Sequence, residues 1–155
     1  YWNYDILKHG FNYRLSDINC ALGFAQLKKI KFFMKKRQKI YEKYLLELEE
    51  YNSNLKIPRY SKNIKSSNHL FIINIMFHKF KKNKDDFMKY LNRNKILGQQ
   101  HYIPIYKFKI YKEKSIKFSG SEKYYKNAVS IPIFVSLENK YQNKIIKVIK
   151  NYFKK

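Results

Sequence analysis

Residues 10–27, GFNYRLSDINCALGFAQL, constrain the fold more than any other stretch, because they join a polar turn to the start of an amphipathic helix. Ser16 is an N-cap by residue type: its hydroxyl can accept a hydrogen bond from a free amide of the first helical turn. Asp17 follows where the positive helix end favours an anion. Leu15, Ile18, Leu22 and Ala25, then Ile30, Phe33, Met34, Tyr41, Tyr44, Leu45 and Leu48, recur at helical rather than alternating spacing. The spacing predicts one long helix to about residue 51, with a break within 29–35. Ala21, Gly23 and Ala25 are small enough for another segment to approach closely.

The rest of the chain reads as a small α/β arrangement. Pro58 and the surrounding Asn, Ser and Lys end the helix and make 52–67 a connection, with a short strand at 55–57. The run LFIINIMF, 70–77, has the length and isoleucine content of a buried central strand. Lys79 to Lys84 make a basic turn, and Asp85 and Asp86 open a helix to about residue 94 with Phe87, Tyr90 and Leu91 inside. A second strand is expected at 96–103, ILGQQHYI, stopped by Pro104. Alternation along it turns Gln99 and His101 to one face, Gln100 and Tyr102 to the other. Residues 107–120 form a lysine-rich loop anchored by Phe108 and Tyr111. Ser121 caps a helix at 122–128, Ser130 to Phe134 (SIPIF) is a strand end or edge because of Pro132, and 138–153 is a closing helix with Tyr141, Ile145, Val148, Ile149 and Tyr152 on one face.

Composition excludes several function classes. The chain of 155 residues is long enough for one core. Its longest apolar run is far too short to span a bilayer, and no signal peptide is visible, so a soluble cytoplasmic protein with no membrane partner is expected. The single Cys20 excludes an internal disulfide framework. Set among Ala21, Leu22 and Ala25, it is expected to be packed rather than nucleophilic. Four histidines and one cysteine show no metal-ligand spacing. Gly10, Gly23, Gly98 and Gly120 stand alone, so no phosphate-binding glycine loop is present.

The formal net charge is +23. A basic surface rich in Tyr and Phe is one way to bind nucleic acid. However, 30 of the 34 cations are lysines and they are spread along the whole chain. Lys, Asn, Ile, Tyr and Phe are all heavily used and all have A- and T-rich codons, so genome bias accounts for the charge without a nucleic-acid partner.

The run Gly10, Phe11, Asn12, Tyr13, Arg14, Leu15, Ser16, Asp17, Ile18, with Ala21, Leu22, Gly23, Gln26 and Leu27 after it and Trp2, Tyr4 and Asp5 before it, resembles a signature of the DegT/DnrJ/EryC1/StrS sugar aminotransferases, which use pyridoxal 5'-phosphate. Ser66, Ser67, Asn68, His69, Leu70 and Phe71 also match that family's pattern of a polar pair followed by His-Leu-aromatic. The resemblance implies a fold-type I arrangement: residues 1–51 as a lead-in and long interdomain helix, residues 52–155 as a small C-terminal α/β (α+β) domain with a mostly antiparallel sheet. It further implies a large cofactor-binding domain upstream of Tyr1.

By the same resemblance, Asn12 reaches the cofactor phosphate of the neighbouring subunit in a homodimer, and Arg14 holds that interface or an anionic group. Gln99, Gln100, His101, Tyr102 and His69 meet the nucleotide-sugar substrate, with Pro104 and Tyr106 in the same loop. Gln100 departs from the small apolar residue usual there. No lysine here stands in a context resembling the family's Schiff-base motif, so no catalytic residue is assigned in this chain and it is expected to be inactive alone. Three stretches, SSNHLF, QQHYIPIY and SEKYYKNAVSIPIF, resemble the branch that moves an amino group from glutamate to C4 of a UDP-linked 4-keto-6-deoxy-N-acetylhexosamine for pseudaminic acid. Other UDP- or dTDP-4-ketosugars, and a non-catalytic binder of nucleic acid or nucleotide sugar, are the competing readings. The helix face at Ile18, Leu22 and Ala25 expects a covering partner, so the isolated chain should self-associate. Size-exclusion chromatography checks this, and a monodisperse monomer would contradict it.

Overall fold

The computed structural model describes residues 8–11, 13–61, 63–111 and 118–154. Residues 1–7, with Trp2, Tyr4 and Asp5, and Asn12 lie outside that set, as does 112–117 of the lysine-rich loop. The chain divides into two compact units, residues 1–32 and 33–155.

In the first unit, α1 (Asp17–Lys28) begins at Ser16, whose Oγ accepts from the Asn19 amide at 3.4 Å, so the N-cap forms as expected. It ends at Lys29, where the backbone N–H turns back to the Gln26 carbonyl; this is the expected break. α1 buries no residue. Ile18 is 81% exposed and Leu27 65%. Cys20 is also exposed, contrary to expectation, because nothing among the described residues covers the small-residue stretch around it.

α2 (Ile30–Leu48) follows and closes through a 3-10 turn at Glu49–Tyr51. Its residues from 33 onward belong to the second unit, and Ile40, Tyr41, Tyr44 and Leu48, recurring every three or four positions, enter that unit's core. The sheet is antiparallel, in the order β1 (Leu55–Lys56), β2 (Phe71–Ile75), β3 (Ala128–Ile131). The apolar run therefore forms the central strand, as expected. Phe71, Ile73 and Ile75 alternate onto the buried face, and Phe71 pairs with Ile131 and Ile73 with Val129. On the other face, α4 (Ser119–Asn127) lies against β2. α4 starts from Phe118, so Ser121 is inside the first turn rather than capping it.

α3 (Lys84–Arg93) is capped by Asn83, whose Oδ1 accepts from the Asp86 amide at 2.9 Å, and it buries Phe87 and Leu91. α5 (Asn139–Phe153) closes the core with Ile145, Ile149 and Tyr152. Its inner face is rotated from the expected one. Tyr141 is exposed and Gln142 is buried in its place, because the Gln142 amide donates to the Ile40 carbonyl at 2.8 Å and so satisfies itself between α5 and α2. No helix is long and apolar enough to cross a membrane among the described residues.

Two buried phenols make a contrast. The Tyr44 hydroxyl donates to the Pro132 carbonyl at 2.9 Å, whereas the Tyr152 hydroxyl has no partner among the described residues. An unmade buried bond forfeits its desolvation cost. Tyr44→Phe should therefore destabilise by about 1–3 kcal/mol, and Tyr152→Phe should be neutral or stabilising; urea unfolding at pH 7 distinguishes them. Burial, helped by the nearby Asp86 charge, pushes Tyr152 from 10.0 up to about 12, and burial also raises Tyr44. Above pH 10 the unfolded chain loses these protons while the folded one keeps them. Stability should thus be full below pH 10 and fall as pH rises toward 12, less steeply in Tyr152→Phe.

Candidate functional site

The site is built on the free edge of β3. Ser130, 5% exposed, exchanges both backbone bonds with Gln99, at 2.9 and 2.8 Å. The strand expected at 96–103 does not form beyond this single pair, and the reason lies on β3. The next bonding positions on either side of Ser130 are Ala128 and Pro132. The Ala128 N–H is already given to the Tyr124 carbonyl at the end of α4, and Pro132 has no N–H. Residues 100–103 therefore leave the sheet after Gln99.

This departure opens the expected polar cluster outward. His101 is half-buried, with Nδ1 2.8 Å from Ser130 Oγ. Tyr102 sets its ring edge-on against the His101 ring at 4.7 Å and is 73% exposed; the peptide between them is cis. Gln100 lines a cleft of about 840 Å³ with Lys84, Lys123, Lys126 and Glu122. Tyr102 lines a separate cleft of about 390 Å³ with Pro104, Ser121 and Tyr124. The expected split of alternate residues does not hold, because the chain leaves the sheet after Gln99: Gln99 and Tyr102 are exposed, Gln100 is half-buried and His101 turns back to Ser130. Gln100 and Tyr102 meet two clefts rather than one face.

The loop after Pro104 is held by Glu122 of α4. Its carboxylate accepts from the Tyr106 hydroxyl and from Lys107 Nζ, both at 3.0 Å, and Tyr106 stacks on Phe118 with ring centres 4.7 Å apart. The Lys107 bond, with help from Tyr106, holds the Glu122 carboxyl below its ordinary range. Desolvation, followed by the Glu122 bond, raises Tyr106. Phe108 and Tyr111, the expected anchors, are largely exposed, because the loop makes two 3-10 turns that bring Tyr106 rather than Phe108 onto α4. Burial lowers Lys84, which donates to the Tyr125 carbonyl and lies over the Tyr125 ring at 4.2 Å.

His69 is exposed, and its Nδ1 meets Ser67 Oγ at 3.3 Å. Its neighbour Asn68 is buried with φ of 47°, pinned by Ser66 Oγ at its amide and by Gln38 of α2 at its side chain. Arg37 of α2 adds a bond to the Ser67 carbonyl at 2.8 Å. This segment is fixed locally, and no bond joins His69 to 99–102 among the described residues. Arg14, in the first unit, is exposed and makes no hydrogen bond or ion pair among the described residues. Sequence reasoning missed Ser130 and Glu122. Each supports the site from 15 to 29 residues away in the chain, and no local pattern marks such pairings.

A family model described as the DegT/DnrJ/EryC1/StrS aminotransferase family matches residues 1–150. The chain is 40% identical over 135 residues to the UDP-4-amino-4,6-dideoxy-N-acetyl-beta-L-altrosamine transaminase of Campylobacter jejuni, covering 84% of this chain and 35% of that protein. It is 34% identical over 130 residues to the Helicobacter pylori protein of the same description, covering 83% and 34%. Among solved structures it is similar to Helicobacter pylori PseC, an aminotransferase involved in the biosynthesis of pseudoaminic acid. That match has a TM-score of 0.85 and 28% identity, over 99% of this chain and 42% of that one. The chain thus spans about a third of the length of the curated relatives it matches.

Because one carboxylate secures both Tyr106 and Lys107, Glu122→Gln should speed amide exchange severalfold across 105–111 while leaving β2 unchanged. Hydrogen-exchange mass spectrometry reads both segments.

Proposed function

The chain belongs to the DegT/DnrJ/EryC1/StrS aminotransferase family, and from that membership we propose that it serves as the small-domain part of a pyridoxal-phosphate-dependent sugar aminotransferase. The substrate is a UDP-linked 4-keto-6-deoxy-N-acetylhexosamine of pseudaminic acid synthesis, and glutamate is the amino donor. The observation that carries this reading is the 40% identity to an altrosamine transaminase across 84% of the chain. Residues 1–51 act as the lead-in and interdomain helix and 52–155 as the small domain. The exposed Ile18, Leu22 and Leu27 of α1 suit packing against the large domain or the second subunit of a homodimer. The enzyme is cytoplasmic, and its product feeds cell-surface glycans such as those on flagellin.

The residues present suit the cofactor in one respect: Arg14 is exposed and has no ion-pair partner among the described residues, as suits an anion-holding group. Asn12, two residues before it in the sequence, offers an uncharged amide donor to the cofactor phosphate of the neighbouring subunit. When bound, the cofactor supplies the electron sink through which an amino group passes from donor to ketone carbon. This chain's own part is binding and orientation. Gln100, His101 and Tyr102 offer an amide, an imidazole and a phenol to the hydroxyls and diphosphate of the sugar nucleotide, with His69 as a further donor. The Schiff-base lysine belongs to the large domain.

The test is to produce the enzyme with its large domain and incubate it with glutamate and UDP-4-ketosugars. The expected product is the UDP-4-amino sugar, read by mass spectrometry, and failure to aminate any of them would overturn the proposal. In the same enzyme Asn12→Ala should weaken cofactor retention on dialysis, measured by absorbance; an unchanged affinity would count against that role for Asn12.

A further inference from the structure

We propose that Ser130 is a positioning residue of the sugar-nucleotide site, holding His101 by Nδ1 so that Nε2 is the nitrogen presented to the ligand. The inference rests on the reading that residues 99–102 meet the nucleotide sugar. A serine hydroxyl can either donate to or accept from an imidazole nitrogen, so its bond at Nδ1 sets which way the ring faces and leaves Nε2 as the nitrogen turned to the ligand in either tautomer. Here the 2.8 Å contact engages Nδ1, and Nε2 has no partner among the described residues.

Ser130 is suited to this task because its own position is over-determined. It is buried in β3, its neighbours Val129 and Ile131 pair with Ile73 and Phe71 of β2, and its backbone exchanges two bonds with Gln99. Two residues on, the Pro132 carbonyl is tied to Tyr44 in the core. The His101 ring is thus gripped at one nitrogen by a residue of the sheet and flanked edge-on by Tyr102. A ring held in this way needs no reorganisation on binding, which is where a positioning group gains affinity for its ligand. Ser130 itself, 5% exposed between Val129 and Ile131, acts on the ligand through His101.

The experiment uses the enzyme containing its large domain, with ¹⁵N-labelled histidine. In the parent protein the His101 Nδ1 signal should carry the mark of its hydrogen bond, and Ser130→Ala should shift that signal while Ser130→Thr, which keeps the hydroxyl, restores it. With the ketosugar, Ser130→Ala should raise KM about tenfold, equivalent to one good hydrogen bond, and should change kcat much less. In a His101→Gln background the same substitution should have no further effect on KM. Unchanged ring signals in Ser130→Ala, or an equal KM penalty with His101 already replaced, would overturn the proposal. If no ketosugar is turned over at all, the functional reading fails by itself, and the ring signals still decide whether Ser130 sets His101.

Discussion

Tyr44 sits where α2, β2 and the end of β3 converge, its ring fully buried against Phe71 at 4.8 Å and its hydroxyl 2.9 Å from the Pro132 carbonyl. Burial of a side chain of this size contributes roughly 1.5–3 kcal/mol, and the bond joins residues 88 apart in the chain. Its position explains its reach. Pro132 follows the segment of β3 that holds Gln99 and His101, so the polar residues of the candidate site are referenced to the core through two short steps, Tyr44 to Pro132 and Ser130 to His101. Aromatic contacts continue the same core to α3 and α5 through Phe87 and Tyr152, 4.8 Å apart.

The excess of cations shapes how the surface is organised. With only 11 carboxylates against 34 basic groups, carboxylates and cations meet in small shared clusters. Glu122 takes Tyr106 and Lys107, and Glu47 and Glu50 converge on Lys150, whose charged form they stabilise. Exposed pairs of this kind add little stability singly. Their value at Glu122 is geometric, since that carboxylate fixes the loop on which the site's aromatic residues are carried.

Much of the local structure was legible from residue types. Ser16 caps α1 because its hydroxyl is placed to accept, Asp85 and Asp86 fall in the first turn of α3, and the alternation of Phe71, Ile73 and Ile75 marks a strand buried on one face. Where reading along the chain failed, a distant partner had intervened. The strand at 96–103 was lost because Ala128 had given its N–H to Tyr124 and Pro132 had none to give. Gln142 displaced Tyr141 from the inner face of α5 because the Ile40 carbonyl was there to accept from it.

The sequence by itself determined which segments are helical, that one apolar strand lies at the centre, and which family the turn at 10–18 resembles. These follow from neighbours in the chain: periodicity, caps and contiguous motifs. Only the tertiary structure decided that His101 turns back to Ser130, that Gln100 and Tyr102 open into different clefts, and that Glu122 rather than Phe108 anchors the loop. Those outcomes depend on which backbone donors remain free once strands from distant parts of the chain have paired, and no local pattern of residues encodes that.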